Sequence, residues 1–333
     1  MTTLFQYDPD IGYRFVPHLR TRIATEDGGY LIRTNALGFR SDREFDAGDA
    51  ATDRILVFGD SFTAGDGVSN GKRYTDVLDT LISPVEVHNF GLPGTGTDQQ
   101  YIAYRKFAQG TPCRAVVIAV LVENIRRVAS AYRASQDERG EVEFLAKPYF
   151  ELHGDQLVRF NDPVPRERVS ADDLEEGARV DRGGRFPALR KLVRAVGLQR
   201  IVQQLTQYQP TPEYDRPDDP AWRLLRAILL AWRAIVDCPA VLMPLPLYQH
   251  IEGTADPGAY RARFAELARD GDFVLHDPLD DLLAYDATAR RGFRFEKDVH
   301  LTPAGHRAIA ESLFKTLGPL LSRAAPASGT VGG

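Results

Sequence analysis

Short apolar runs alternate with stretches of helical periodicity along the first part of this chain. The runs Ile55–Phe58, Glu86–Asn89 and Val116–Val122 are predicted as strands, and helices are predicted between them at Tyr74–Ile82 and Asp98–Gln109. Strands that alternate with helices in this way are typical of a parallel sheet with helices on both faces. The pattern therefore predicts an α/β fold.

The same alternation returns in the C-terminal part of the chain. The predicted elements are a helix Trp222–Val236, a strand Ala240–Met243, a loop Pro244–Tyr248, a strand Phe273–His276 and a helix from Pro303 to about Leu317. Asp219 and Thr302 each precede a proline where a helix is predicted to start, and both residue types cap helix N-termini well. Trp222 and Trp232 share one apolar helix face, which predicts packing against the core.

The N-terminal segment, residues 1–50, does not follow the alternation. It contains the short extended stretches Gly12–Val16 and Tyr30–Arg33, which predict a small β-rich lead-in packed on the core. Within it, the segment Asn35–Arg40 either shapes one wall of the functional site or forms a packed β-turn. The sequence alone leaves both interpretations open.

The alternation also breaks over residues 126–220, which are charged and carry several prolines. Gly154-Asp155 predicts the turn of a hairpin there, and Leu189–Leu205 shows helical spacing. We interpret this region as an inserted cap that sets substrate choice, with an extra structural layer or an oligomer contact as the alternatives. The core is then predicted from 51–125 and 221–323, and the small, Gly-rich residues 324–333 are predicted to be a disordered tail.

Two short motifs carry the candidate chemistry. The strand Ile55–Phe58 runs into Gly59-Asp60-Ser61, and Asp298-Val-His300 precedes the last predicted helix. Ligands bind beyond the carboxyl ends of the strands in open α/β sheets, so Ser61 is placed where chemistry is expected. A serine, a histidine and an acid together can activate a hydroxyl nucleophile. A turn that merely caps a helix is the alternative interpretation of Gly59-Asp60-Ser61.

These motifs resemble those of the SGNH (GDSL-type) hydrolases, in a bacterial branch that ends in Asp-x-His. The resemblance implies a three-layer α/β/α sandwich with a central parallel, flavodoxin-like sheet, and acyl transfer through a serine without any metal or organic cofactor. It makes Ser61 the nucleophile, His300 the general base and Asp298 the orienting acid. Many members use Asp-x-x-His instead, but that spacing places Lys297 at the acid position, and a lysine cannot serve. Glu296 is the substitute acid.

The resemblance also implies an oxyanion hole. Asn89-Phe-Gly-Leu-Pro-Gly94 resembles the second family block, so Gly94 is expected to donate its backbone N–H together with that of Ser61. The third block is altered, because the strand Val116–Val122 leads into Glu123-Asn124. We choose Asn124 as the third donor, since a glutamate donates a hydrogen bond only when protonated. A gapless match would place Glu123 there instead.

Four further residues are candidates for the substrate pocket: Asp60, Phe62, Tyr248 and His250. The first two flank the nucleophile, and the other two lie near the predicted loop at the same edge of the sheet. His306 falls inside the last predicted helix and does not match the position of the base. It is therefore interpreted as structural.

Composition narrows the function classes. The net charge of the 333-residue chain is −5, and Lys and Arg are spread without a dense basic tract, so no nucleic-acid partner is expected. No segment approaches the roughly 20 apolar residues of a membrane span, and no secretory signal is visible, so a cytoplasmic location without a membrane partner is expected. Cys113 and Cys238 are predicted to be small buried apolar residues rather than parts of a disulfide framework or metal site.

Together these observations predict a serine esterase that removes a short acyl group, such as acetyl, from a polar small molecule or a sugar. The predicted cap is rich in Arg, Asp and Glu, whereas a lipase is expected to carry a larger apolar lid. An acyltransferase that passes the acyl group from Ser61 to a hydroxyl or amine is one alternative. A catalytically inactive binding module, favoured by the altered third block, is another. The sequence leaves the acyl group, the acceptor and the oligomeric state open.

Overall fold

The structure is a computed structural model that describes residues 3–25, 28–45, 53–136, 142–170, 179–181 and 209–323. The helical pattern at Leu189–Leu205 and the tail 324–333 lie outside the described residues. The strands are β1 (Phe5–Asp8), β2 (Gly12–Phe15), β3 (Arg20–Ile23), β4 (Tyr30–Arg33), β5 (Arg54–Phe58), β6 (Glu86–Asn89), β7 (Ala115–Leu121), β8 (Tyr132–Gln136), β9 (Val142–Ala146), β10 (Tyr149–His153), β11 (Gln156–Phe160), β12 (Arg168–Ser170), β13 (Val180–Asp181), β14 (Ala240–Leu245) and β15 (Val274–Leu275).

Most of the α-helices that the described ranges contain are short, and four have 11 residues or more. They are α1 (Ser61–Ala64), α2 (Tyr74–Leu81), α3 (Thr97–Phe107), α4 (Asn124–Val128), α5 (Pro220–Arg233), α6 (Tyr248–Ile251), α7 (Gly258–Asp270), α8 (Leu279–Leu283), α9 (Ala287–Arg291) and α10 (Pro303–Arg323). A 3₁₀ turn, Pro212–Tyr214, precedes α5. None of these helices is long and apolar enough to cross a membrane.

A five-stranded parallel sheet in the order β15-β14-β7-β5-β6 forms the centre of the molecule. Val57 pairs with Val117, which in turn pairs with Val241. All residues of β5, β7 and β14 are buried, as expected for parallel strands whose two faces are both covered. The chain leaves β5 toward β6 on one side and then returns to β7 on the other. The ends of β5 and β7 therefore form the point at which the strand order reverses, where open α/β sheets bind ligands.

Two groups of helices cover this sheet. Helix α2 packs against α10, whereas α3 packs against α4 and α5. The apolar face of α5 is buried as predicted, and Trp232 lies 5.4 Å from the Phe58 ring, centroid to centroid. Asp219 caps α5 by accepting from the backbone N–H groups of Ala221 and Trp222. The predicted three-layer α/β/α fold is thus confirmed.

Two predicted boundaries were wrong. The segment predicted as a loop at Pro244–Tyr248 instead continues strand β14 through Leu245 and begins helix α6 at Tyr248. Pro244 fits inside the strand because β15 ends opposite Leu242, which leaves one side of β14 without a ladder partner at the proline. The last helix also runs past its predicted end to Arg323, and Leu320 and Leu321 beyond Pro319 still pack against the core.

The N-terminal segment contains the four strands β1 to β4. Strands β1 and β2 form one hairpin, and β3 and β4 form another. Phe15, Ile32 and Phe39 of this segment are buried in the same hydrophobic cluster as the central sheet. The lead-in and the sheet therefore share one core.

The described residues of the segment 126–220 contain β8, β9, β12 and β13 in a second sheet and the predicted hairpin, β10–β11, which turns at Gly154-Asp155. It is fastened to α3 by Lys147, which binds the carboxylate of the fully buried Asp98. Cys113 and Cys238 are both half-buried and unbridged, with their sulfur atoms 2.7 Å apart.

Candidate active site

Ser61 stands at the first position of α1, after β5 and the turn Gly59-Asp60. The carboxylate of Asp60 caps this helix by accepting from the Phe62 N–H at 3.0 Å, and it also binds Arg127 at 3.0 Å. Gly65 ends the helix with φ +80 and donates its N–H to the carbonyl of Ser61. Asp60 is fully buried. Its carboxylate thus anchors the turn, and its role as a pocket residue stays a prediction.

The structure brings Ser61, His300 and Asp298 together. The Oγ of Ser61 lies 2.8 Å from Nε2 of His300, and Nδ1 of His300 lies 2.7 Å from Oδ1 of Asp298. The His300 backbone N–H also donates to Asp298. Glu296, the substitute acid, forms no hydrogen bond or ion pair with His300 among the residues that the structure describes. These distances fit a nucleophile, a base and an orienting acid.

The loop that carries Asp298 and His300 is closed by two backbone hydrogen bonds between its two ends. The Phe295 N–H donates to the carbonyl of His300, and the Thr302 N–H donates to the carbonyl of Phe293. Oγ1 of Thr302 also accepts from the Gly305 N–H in the first turn of α10, so Thr302 caps this helix as predicted. The loop is thereby held against the start of the last helix.

Electrostatics in the site favour a charged acid and a basic imidazole. The hydrogen bond from His300 lowers the pKa of Asp298 to about 2. Burial acts to lower the pKa of His300, but its hydrogen bond to Asp298 and the nearby charge of Asp66 outweigh burial and raise it. Burial raises the pKa of Asp66 itself, against the nearby charges of His300 and Arg40. The imidazole of His300 is therefore a stronger base than that of an ordinary histidine.

The backbone beside Ser61 offers free hydrogen-bond donors. In the described part of the chain, neither the N–H of Ser61 nor that of Gly94 donates a hydrogen bond. Gly94 has φ +70, a conformation that favours glycine. Asn89 holds this loop against α1, since its amide donates to the carbonyl of Thr63 and its oxygen accepts from the Gly91 N–H. This tethering role of Asn89 was missed, although the residue stands in the quoted motif.

Asn124 follows β7 and is fully buried, yet both polar atoms of its side chain lack a hydrogen-bond partner within the described ranges. Glu123 points the other way: its side chain is 38% exposed and lies 3.5 Å from Arg126. A buried amide without partners costs free energy unless a ligand or water satisfies it. Of the two residues between which the sequence left a choice, Asn124 is the one turned inward.

The other three pocket candidates, Phe62, Tyr248 and His250, have different surroundings in the structure. The Phe62 ring lies 5.0 Å from that of His300. Tyr248 lies under the guanidinium of Arg294 and lines, with Phe62, Pro246 and Val299, a narrow recess beside the base. His250 is buried, accepts from the Leu247 N–H, and packs on Tyr260. Its contacts are those of a structural residue.

His306 is wholly buried between helices. Its Nδ1 accepts from the Tyr74 N–H at 3.2 Å, and its ring stacks on that of Tyr74. Burial lowers the pKa of His306 to about 3. It is a neutral acceptor at the start of α2, which agrees with its structural interpretation.

The segment Asn35–Arg40 forms a packed turn whose last residue supports the nucleophile. Oδ1 of Asn35 accepts from the Phe39 N–H. The buried guanidinium of Arg40 donates to the carbonyls of Gly65 and Val68, each at 2.7 Å. Those carbonyls follow α1, so Arg40 fixes the chain just beyond Ser61. The sequence pattern singled out the segment Asn35–Arg40, but it did not indicate which groups Arg40 would bind.

The parallel α/β sheet and the contacts of Ser61, His300 and Asp298 have the geometry of a serine hydrolase. A family model described as "GDSL-like Lipase/Acylhydrolase family" matches residues 57–308. The match covers most of the chain, which therefore belongs to this family. Membership supports ester hydrolysis as the reaction class, as the resemblance implied.

Comparison with solved structures gives distant likenesses. A member of the lipolytic protein G-D-S-L family from Veillonella parvula has 15% identity and a TM-score of 0.42, over 80% of this chain and 98% of that one. TesA has 13% identity and a TM-score of 0.43, over 80% and 99%. The acetyl xylan esterase AlAXEase has 14% identity and a TM-score of 0.43, over 79% and 98%. At this distance they add nothing to the family assignment. A search of curated proteins found no match.

Proposed function

We propose that this protein is a serine esterase that hydrolyses a short acyl ester, such as an acetyl ester, of a polar small molecule or sugar. The observation that carries the proposal is the continuous chain of hydrogen bonds from Ser61 through His300 to Asp298, at 2.8 and 2.7 Å. Such a chain activates a hydroxyl that is otherwise a weak nucleophile.

In the proposed acylation step, Oγ of Ser61 attacks the ester carbonyl as its proton passes to Nε2 of His300. The tetrahedral intermediate then expels the alcohol, which takes the proton from His300, and leaves an acyl-serine. Water repeats the sequence, with His300 again as base, and releases the carboxylic acid. Asp298 keeps the imidazole oriented and stabilises its protonated form throughout.

The negative oxygen of the intermediate needs hydrogen-bond donors. We assign this role to the backbone N–H groups of Ser61 and Gly94 and to the amide of Asn124. The free N–H groups of the first two residues and the unpartnered, buried amide of the third support the assignment. Donors that are already in place before the charge develops lose no reorganisation energy when it does.

A short acyl group is supported by the recess beside the base. Phe62, Pro246, Tyr248, Val299 and Leu301 are among the residues that line it, and water-sized spheres can place their centres in only about 10 Å³ of it. That is about the space that one water needs, so the narrowness of the recess favours a methyl group over a long alkyl chain. The polar substrate is supported by the charged composition of residues 126–220, which we propose to form the cap.

The test is active-site labelling followed by a panel of acyl donors. A fluorophosphonate should add once to the wild-type chain, as seen in its intact mass, and should not add to Ser61→Ala. Turnover of para-nitrophenyl esters should then fall steadily from acetate to octanoate. Faster turnover of octanoate would overturn the short-acyl proposal, and a folded but unlabelled wild type would overturn the esterase mechanism.

A further inference from the structure

Arg133, on strand β8 of the inserted sheet, is a half-buried cation without an acidic partner. Its guanidinium donates to the hydroxyl of Tyr13 and lies 5.7 Å from the centre of that ring. No carboxylate within the described ranges forms an ion pair with it. Its neighbours in the chain differ: Arg126 pairs with Glu213 at 2.7 Å, and Arg127 pairs with Asp60 at 3.0 Å. Partly buried charges are usually paired, because removing them from water costs free energy.

The guanidinium lies directly against the loop to which we assign the oxyanion donor. A Cβ added at Gly94 would collide with Nη1 and Cζ of Arg133. Tyr13, the hydrogen-bond partner of Arg133, donates its own hydroxyl to the carbonyl of Pro93 at 2.6 Å. The lead-in and the inserted sheet thus meet at this loop and fix one positive charge there.

Two acidic groups of the site are engaged elsewhere. Asp60 binds Arg127, and Asp298 binds His300. Asp66 forms no ion pair with Arg133 among the residues that the structure describes. A planar guanidinium with free donors matches the two oxygens of a carboxylate or phosphate.

We propose that Arg133 binds an anionic group of the substrate, so that the preferred ester carries a carboxylate or a phosphate close to its reacting carbonyl. The proposal rests on the esterase function and deepens it by naming the charge of the substrate. Arg133 is then a specificity-determining residue, supplied by the insertion rather than by the core of the fold.

The experiment compares esters that differ only in charge. One pair places the charge on the leaving group: para-acetoxybenzoate and its neutral amide, para-acetoxybenzamide, with para-acetoxyphenyl phosphate as the phosphate arm. The other pair places it on the acyl side: para-nitrophenyl hydrogen adipate and its methyl ester. The kcat/KM of each is measured for the wild type, Arg133→Gln, Arg133→Lys and, as control, Arg168→Gln. Arg168 lies in the same sheet and pairs with Glu143.

The wild type should prefer the charged member of at least one pair. Arg133→Gln should lower kcat/KM for that ester about 10- to 100-fold, the usual size of a hydrogen bond to a charged group, and should change its neutral partner by less than about twofold. Arg133→Lys should retain part of the preference, and Arg168→Gln all of it. Whether the benzoate, phosphate or adipate arm responds identifies the anion and its position.

Two results would overturn the proposal. A wild type without any preference for charge would do so, and so would an equal loss on charged and neutral esters, which would mean that Arg133 only braces the Gly94 loop. Fluorophosphonate labelling of every variant separates these failures from that of the esterase function. If Ser61 is labelled normally, the mechanism stands and only the role of Arg133 falls.

Discussion

The proposed nucleophile, Ser61, and the proposed base, His300, are held in place by opposite means. Ser61 follows a strand whose five residues are all buried, and Asp60 and Asn124 beside it are fully buried as well. His300 instead lies on a surface loop in which residues 296–299 are exposed, and the side chain of Asp298 is 52% exposed. One half of the site is fixed by the interior, and the other is fixed by local hydrogen bonds.

This difference separates the expected effects of mutation. Changes on the nucleophile side that disturb buried groups should lower stability as well as activity, because the same contacts serve both. Changes in the exposed loop should lower activity with little effect on stability. The experiments below compare the two sides, from the largest expected effect to the smallest.

Ser61→Ala should lower kcat by about 10⁵- to 10⁶-fold, as for other serine nucleophiles. It removes a single oxygen atom from the nucleophile side, so the melting temperature should stay within a few degrees of the wild type. Steady-state kinetics and thermal unfolding monitored by circular dichroism check both. Residual turnover within about tenfold of the wild type would assign the nucleophile to another residue.

Asp298→Asn should lower kcat/KM by about 10³-fold, less than the roughly 10⁴-fold typical of a buried triad acid, since Asp298 is half exposed. The pH profile gives a second readout. The carboxylate raises the pKa of His300, and the base acts only when neutral, so activity falls as the pH drops through that pKa. Without the carboxylate, this acidic limb should move to lower pH.

The control for Asp298 is Glu296→Gln in the same exposed loop, which should leave both the rate and the pH profile unchanged. A larger loss in Glu296→Gln than in Asp298→Asn would exchange the assignments of the two acids.

Asn124→Ala should lower kcat by about 10²-fold with little change in KM, the usual cost of losing one oxyanion donor. Asn124→Asp should be worse, because a carboxylate repels the developing negative charge. Glu123→Gln is the matched control at the neighbouring position. If the control were the more damaging change, the donor would have to be assigned to position 123.

Arg40→Leu should destabilise the protein by about 2–4 kcal/mol, since it removes the buried guanidinium that donates to the carbonyls of Gly65 and Val68. Urea unfolding measures this change. Activity should also fall, because those carbonyls follow the nucleophile helix. A loss of activity without a loss of stability would contradict the expected coupling on the buried side.

His306→Leu tests a pH dependence of stability. In the folded chain the pKa of His306 is lowered to about 3, whereas in the unfolded chain it is about 6.5. Below pH 6.5, His306 is protonated in the unfolded chain but stays neutral in the folded chain. The wild type therefore loses stability as the pH falls. The leucine variant lacks this loss. The free energy of unfolding of the wild type, relative to that of the leucine variant, should therefore fall by about 1 kcal/mol from pH 7 to pH 5.5.

The comparison also explains what the sequence could and could not predict. Ser61, Asp298 and His300 lie in short motifs next to a predicted strand and helix, so their proximity follows from local pattern and the topology of the sheet. The contacts of Arg40 and Arg133 depend on segments far apart in the chain, 25 and 120 residues for Arg40–Gly65 and Arg133–Tyr13. The sequence around each arginine does not indicate which distant residue it contacts. The choice between Asn124 and Glu123 depended on which of the two side chains is buried, and the sequence does not show this.

The shared core of the lead-in and the sheet has a consequence for where the cooperative folding unit begins. The family match starts at residue 57, yet Phe39 packs at 5.0 Å from the Phe90 ring and 5.2 Å from that of Phe107. A fragment cut at the family boundary would expose these apolar surfaces to water and lose several kcal/mol of burial. We therefore expect amide hydrogens of β4 and β5 to exchange through the same global unfolding event, so that recombining this hydrolase domain with others requires transplanting its first forty residues too.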